Sequence, residues 1–399
     1  MKIPMLNVVG GTVIIASGFV PLQASAGFAE GMQQTKPSFN IRYRMETVDQ
    51  DGIDNKARAS TAKARASWIM PSNDGFSVGL ESDFVFLLGD ERYNSTVNGL
   101  TEYPVVADPT GVDLNQAFLR YRNGSLVVTT GRQRILHGSQ RFVGGVAWRQ
   151  NEQTYDGLRV QSIHDTASVD YSYVVNVNRI FGPEDGAQPA VWEGNSHLFR
   201  LAVKPAEGHE FGSFAYFMNF ENDNGPPNAN RTYGVDYTAS FGAFSLFASV
   251  AQQSDWADNP NSYDAAYHTF EGRLKGGPVT YTLGYEVLGS DGGNAAFRTP
   301  LATLHKFQGW TDKFLGTPAG GIRDSYLKAA TKVGPASFAI ALHNFRAVEG
   351  GADYGREVDL SFSCPIGERL NLLFKFAQYN AQDHATDTIK SWLVVTYSI

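Results

Sequence analysis

Basic residues recur two apart early in the chain: Arg42 with Arg44, Lys63 with Arg65, Arg120 with Arg122, and Arg132 with Arg134. In an extended strand, residues two apart point to one side, so each pair presents two cations to the same space. Arg149 and Arg159 add two more. Guanidinium groups placed this way bind carboxylates through a two-pronged fork. The chemistry they suggest is recognition of an anionic, hydroxyl-rich solute in a polar passage. Carboxylates occupy similar positions: Glu46 shares a face with Arg42 and Arg44, Glu81 with Asp83, and Glu357 with Asp359. A wall of cations beside a wall of anions would set a transverse field across a pore. Alternatively, the two signs pair across neighbouring strands and brace a polar interior.

Catalytic constellations are not apparent. His137, His305 and His343 fall in or near polar segments, where a lone histidine usually serves as a hydrogen-bonding residue. The sequence contains no H-E-x-x-H motif. The run Asp49-Gln50-Asp51-Gly52-Ile53-Asp54 has some of the spacing of a calcium loop but not its closing Glu, and reads as a solvated turn. With no phosphate-binding glycine loop, haem motif or zinc spacing, neither a cofactor nor a metal is expected.

The elements that would position these charges are short strands. Alternation of period two recurs in blocks of about ten residues, enough to cross an outer membrane on a tilt. Eighteen such blocks begin near Ser38, Ser60, Phe76, Val112, Leu126, Thr154, Ser168, Asn195, Glu210, Thr232, Ala243, Tyr267, Val279, Ile322, Ala336, Arg356, Leu370 and Thr388. Turn residues such as Asn123-Gly124, Gly242, Gly276-Gly277-Pro278 and Gly334-Pro335 separate alternate blocks, and each is short enough to close a hairpin. Longer polar segments fill the other gaps, the longest running from Ser290 to Gly321. This predicts an all-β fold: a single transmembrane antiparallel β-barrel of about eighteen strands, with short periplasmic turns and long extracellular loops. Charged pairs cannot face lipid, so Arg42 and Arg44 look inward while Ile41 and Tyr43 look outward.

The chain ends and the composition fit this reading. Lys2, an apolar stretch from Val8 to Val20 and Ala24-Ser25-Ala26 have the layout of a secretory signal peptide. Residues 1–26 are therefore read as a cleaved leader and 27–399 as one barrel domain. The 18 Tyr and 26 Phe suit aromatic girdles at the two membrane interfaces. A net charge of −7 argues against a nucleic-acid partner, and the single cysteine, Cys364, reads as a small apolar residue of a strand. In the longest gap, apolar residues at 301, 304, 307, 310 and 314 approximate a helical stripe. Its polar neighbours His305, Lys306, Trp310, Asp312 and Lys313 could line a constriction if the loop folds inward, or pack on the rim if it does not.

Several segments carry a family likeness: Arg132-Gln133-Arg134, Trp148-Arg149-Gln150-Asn151, Thr154-Tyr155-Asp156-Gly157-Leu158-Arg159, and Thr299 to Phe314. Together they resemble the alginate export family of outer-membrane porins. Tyr155 and Gly157 depart from the family pattern, which usually has Phe and Ala there. The resemblance implies a monomeric eighteen-stranded channel in the bacterial outer membrane, inserted by the barrel assembly machinery and surrounded by outer-membrane lipid. Its basic lumen would pass an anionic oligo- or polysaccharide, with Arg132, Arg134, Arg149 and Arg159 at the family's basic positions. A general or small-solute uptake porin and a barrel enzyme are the other readings of such a chain.

Overall fold

The computed structural model describes residues 31, 33, 35–71 and 74–398. The expected leader, Ser72 and Asn73 of the first turn, and Ile399 lie outside the described residues.

The chain forms β1 (Ser38–Gln50), β2 (Ala57–Ile69), β3 (Phe76–Leu87), β4 (Gly111–Asn123), β5 (Leu126–Gln133), β6 (Thr154–Ile163) and β7 (Ala167–Asn178). It continues with β8 (Val191–Ala206), β9 (His209–Met218), β10 (Asn230–Phe241), β11 (Phe244–Asp255), β12 (Asp264–Gly276) and β13 (Val279–Leu288). A small hairpin, β14 (Ser290–Asp291) and β15 (Ala295–Ala296), precedes β16 (Ile322–Val333), β17 (Ala336–Arg346), β18 (Asp353–Ile366), β19 (Leu370–Ala381) and β20 (Thr388–Ser398). Apart from the small hairpin, eighteen strands form one sheet. Each pairs antiparallel with its neighbours, and β1 pairs with both β2 and β20, which closes the barrel. Every expected block holds a strand; the largest displacement is at β8, which starts at Val191 rather than near Asn195.

Alternation sets the two faces. Leu80, Leu119, Val235, Leu283, Leu327 and Leu342 are exposed on the outside, whereas Glu81, Thr282, Glu286 and His343 on the same strands are buried inside. Exposed aromatic side chains gather near the two ends of the strands. Phe39, Tyr121, Phe211, Phe241 and Phe338 lie toward the short turns, and Phe86, Tyr233, Trp256 and Tyr285 toward the long loops, as in the girdles of an outer-membrane barrel. Connections such as 124–125, 207–208, 242–243, 277–278 and 334–335 are tight. On the opposite rim, segments 88–110, 134–153, 179–190 and 289–321 are long.

Two of these loops enter the barrel. Loop 134–153 meets loop 289–321 in a bridge between Val143 and Leu301, reinforced by Gly144 N–H donating to the Leu301 carbonyl at 2.8 Å and Thr303 N–H to the Gln140 carbonyl at 3.0 Å. Phe142, Val143, Phe297, Leu301 and Phe314 of the loops join Tyr155, Phe214, Tyr216, Tyr267, Phe345 and Tyr379 of the wall in one buried cluster. A helical stripe over 301–314 is not what forms. Only Leu304–Lys306 makes a short 3-10 turn, because Gln308, Gly309 and Asp312 all take positive φ. The apolar side chains then seek separate partners. Leu301 joins the bridge to Val143, Trp310 covers Lys375, and Phe314 packs on Phe345.

Candidate permeation site

The interior charges are easiest to follow from β1. Arg44 meets Glu46, two residues along the same face, at 2.6 Å and Asp108 of loop 88–110 at 3.2 Å. Its guanidinium lies 4.3 Å from the Trp148 ring centroid and donates to the Trp148 carbonyl. Arg42 donates to the Gln150 side chain and the Ala147 carbonyl, each at 3.0 Å, and to the Arg149 carbonyl. The first strand therefore holds the returning limb of loop 134–153 by its backbone.

On β2 and β3 the two signs interleave. Arg65 forks onto Asp83 with both contacts at 2.6 Å and reaches Glu152 at 2.7 Å. Lys63 is 3.4 Å from Asp83. Arg134 bridges Glu81 and Glu152, the latter at 2.6 Å. Arg159 on β6 binds Asp170 and donates to the Arg134 carbonyl at 3.3 Å. Arg120 lies over Phe118 and donates to Thr129 at 3.1 Å, while Arg122 is exposed beside the periplasmic turn.

Opposite charges therefore alternate: of the two arrangements expected, pairing of the two signs across neighbouring strands is the one found, and a cationic wall beside an anionic one is not. An unpaired ion in a nearly dry interior is costly enough that each charge needs a counter-ion within reach. Arg149 was expected on the wall; it lies on loop 134–153, where Glu46 at 3.0 Å and Asp312 at 3.2 Å hold it.

Arg132 also departs from expectation. In register it stands opposite Ala117 and Asp156; Ala117 stands opposite Leu80, and Asp156 opposite Asn176. Residues opposite one another in a ladder share a face, and Leu80 is exposed to the outside. Arg132 is thus on the outer face near the extracellular rim, clasping Asp156 at 2.8 and 2.9 Å. Val127, Thr129 and Gln133 take the buried side of β5. Arg134 escapes this alternation because β5 ends at Gln133 and the chain turns inward.

The residues expected along the longest loop converge on one hub. Asp312 accepts from Lys390 of β20 at 2.8 Å, Arg149 at 3.2 Å and His305 at 2.8 Å. His305 stacks on Trp148 with ring centroids 4.7 Å apart and meets Lys375 of β19 at 2.7 Å. Glu357 of β18 accepts from the Thr311 N–H at 2.8 Å, and also from the Trp310 N–H and the Thr311 hydroxyl. Asp359 lies beside it, 3.8 Å from His343. Lys313 donates to Gln50 at 3.2 Å, and Lys306 to the Ser139 carbonyl at 2.9 Å. Burial, reinforced by the Lys375 charge, pushes the His305 imidazole down to about 3, so it is neutral at pH 7. Burial alone would raise the Glu152 carboxyl, but Arg65 and Arg134 outweigh it and hold it at about 2.

Lys375, Lys390, Arg141, Glu152, Asp108, Asp170 and Glu286 belong to the same network and were not among the expected residues. Arg141 binds Glu286 at 2.7 Å and ties loop 134–153 to β13. The rule that a charge in an apolar strand must face inward, applied to single charges as well as pairs, would have found Lys375 between Phe374 and Phe376.

Residues 36–286 match the family model for alginate export. The chain belongs to the alginate export family. A comparison with curated proteins finds no match. Among solved structures, the barrel is similar to Pseudomonas aeruginosa OccK3 (OpdO), with a TM-score of 0.72 at 11% identity over 94% of this chain and 98% of that one. It is also similar to P. aeruginosa OccK9 (OpdG), at TM-score 0.73, 15% identity, and 92% and 99% coverage. A third similar structure is P. aeruginosa OpdK with vanillate, at TM-score 0.69, 13% identity, and 91% and 98% coverage. The family and the closed barrel make this a channel protein of the bacterial outer membrane.

Proposed function

We propose that this member of the alginate export family is a passive, monomeric, non-enzymatic channel for anionic saccharides. The observation that carries the reading is the row of arginine forks on the β2–β6 side of the inserted loops. There Arg65 and Arg134 keep 16% and 28% of their side chains accessible beside Glu81 and Glu152. A sugar carboxylate passing these forks can exchange with the resident carboxylates one contact at a time, which favours passage over tight capture. Outer-membrane lipid surrounds the apolar belt, and the barrel assembly machinery inserts it.

The test is single-channel conductance of refolded protein in a planar bilayer, under a salt gradient and with oligomannuronate or oligoguluronate as blocker. Anion-selective current blocked by these sugars is expected. An open channel indifferent to them would overturn the saccharide reading.

A second reading is uptake of small carboxylates. It is favoured by the two loops that pack against the wall inside the barrel, and by the vanillate seen with the similar OpdK barrel. Current blocked by vanillate but not by oligouronates would select it.

A further inference from the structure

Arg44, Lys63, Arg65, Arg134 and Arg149 are all held by carboxylates. Across the barrel, Lys306 and Lys328 have no carboxylate within 4 Å among the described residues, the nearest acidic influence on Lys306 being Glu271. Beneath loop 289–321, against β10–β13, β16 and β17, is a cavity of about 470 Å³. Ser240 and Ser245 at its lower end flank turn 242–243, so it reaches toward the short-turn rim, and Lys306, Phe307 and Gln308 lie at its other end.

Lys306 and Lys328 border this cavity. Lys306 Nζ donates to the Ser139 carbonyl and stands 5.5 Å from the Phe307 ring centroid. Lys328 Nζ lies 4.3 Å from the Tyr326 centroid. Among the described residues neither makes an ion pair. The cavity's carboxylates are already engaged. Glu271 takes Arg273 at 2.9 Å and the Tyr326 hydroxyl at 2.8 Å, Glu286 takes Arg141 at 2.7 Å, and Asp324 takes His343 at 2.9 Å. With Arg141 counted beside Glu286, four cations, Arg141, Arg273, Lys306 and Lys328, face three carboxylates, so one positive charge is left over, and the two lysines sit beside two aromatic rings. A volume of this size falls in the range of about 300–1,000 Å³ usual for small-ligand sites.

We propose that this cavity is a uronate-binding subsite on the periplasmic side of the inserted loops. Lys306 and Lys328 hold the sugar carboxylate, and Phe307 and Tyr326 flank the apolar faces of the ring. This rests on the anionic-saccharide reading above and names where such a solute first docks from the periplasm.

The experiment is oligomannuronate block of the intact channel in planar bilayers, with blocker added to the periplasmic side. Wild type is compared with the Lys306→Gln/Lys328→Gln double variant, and a neutral oligomannose serves as control. The double variant should need at least about tenfold more oligomannuronate for half block, the equivalent of one lost charge-assisted contact. Its block by the neutral sugar should not change. Lys306→Arg/Lys328→Arg should restore oligomannuronate block. Single Lys328→Gln, a wall position facing water, should show a several-fold loss and serves where the double variant does not insert. Equal block of wild type and variants overturns the subsite and leaves the channel reading standing. Absence of block in wild type overturns the saccharide reading itself. Equal potency of the neutral sugar overturns carboxylate recognition.

Discussion

Arg132 and Arg134 stand two residues apart, yet one clasps Asp156 on the outer face and the other bridges Glu81 and Glu152 within the barrel. Ion selectivity in a salt gradient should therefore be unchanged in Arg132→Ala and should shift toward cations in Arg134→Ala, where two interior carboxylates lose a counter-ion. Arg149 is a harsher case. Arg149→Met takes one of the cations from each of Glu46 and Asp312, which keep Arg44 and Lys390, and should lower unfolding stability by about 1.5–3 kcal/mol, read from the urea midpoint in detergent. Acid should loosen the loops. Undocked, His305 titrates near its ordinary 6.5; docked among Lys375, Asp312, Arg149 and Trp148, it titrates at about 3. Between these values the undocked loop binds a proton that the docked one does not, so docking weakens as pH falls from 6.5 toward 3. Glu152 acts in the same direction. Its docked carboxyl lies at about 2 against an ordinary 4.5, so its stabilisation is present above 4.5 and is lost as pH falls through 2. Protease cleavage within 289–321 should accelerate progressively below pH 6.5, and a flat rate from pH 7 to 4 would refute this.

The inserted loops depend on close backbone approach where they meet. A Cβ on Gly144 would stand 2.9 Å from the Thr303 backbone nitrogen and 2.3 Å from its hydroxyl, so Gly144→Val should force the two loops apart. Larger single-channel conductance and stronger current fluctuation are the expected readouts. The strands themselves were legible in the sequence, because lipid outside and water inside impose a period of two that residue types record directly. The loops were not. Their apolar residues answer to Val143, Lys375 and Phe345, partners distant in sequence, and the 3.6-residue spacing of 301–314 was coincidental. Bulges between Glu81 and Ser82 and between Asp156 and Gly157 also lie near the arginines whose facing was hardest to read. Face assignment by pairs succeeds at Arg42 and Arg44, within the regular ladder of β1 and β2. It fails at Arg132, close to where a strand gives way to a loop.

The whole molecule is an apolar belt around a polar, loop-braced interior. Leu283 is 65% exposed on the belt. Leu283→Arg should cost roughly 2–4 kcal/mol if its level is near the membrane midplane, measurable as a lower urea midpoint in liposomes, whereas Thr282→Arg on the inner face should cost less. The hub at Asp312 also bears on how the barrel is made. It gathers Lys390 from the last strand and, through Arg149, Glu46 from the first, and Glu46 stands in register with Trp392 across the closing seam. If the seam zipped one residue out of step with β20 reversed in facing, Lys390 would turn to lipid and Asp312 would lose its nearest cation. A misaligned closure would therefore be betrayed from within. The contacts of the inserted loops at Asp312 are thus complete only in the register in which the first and last strands meet.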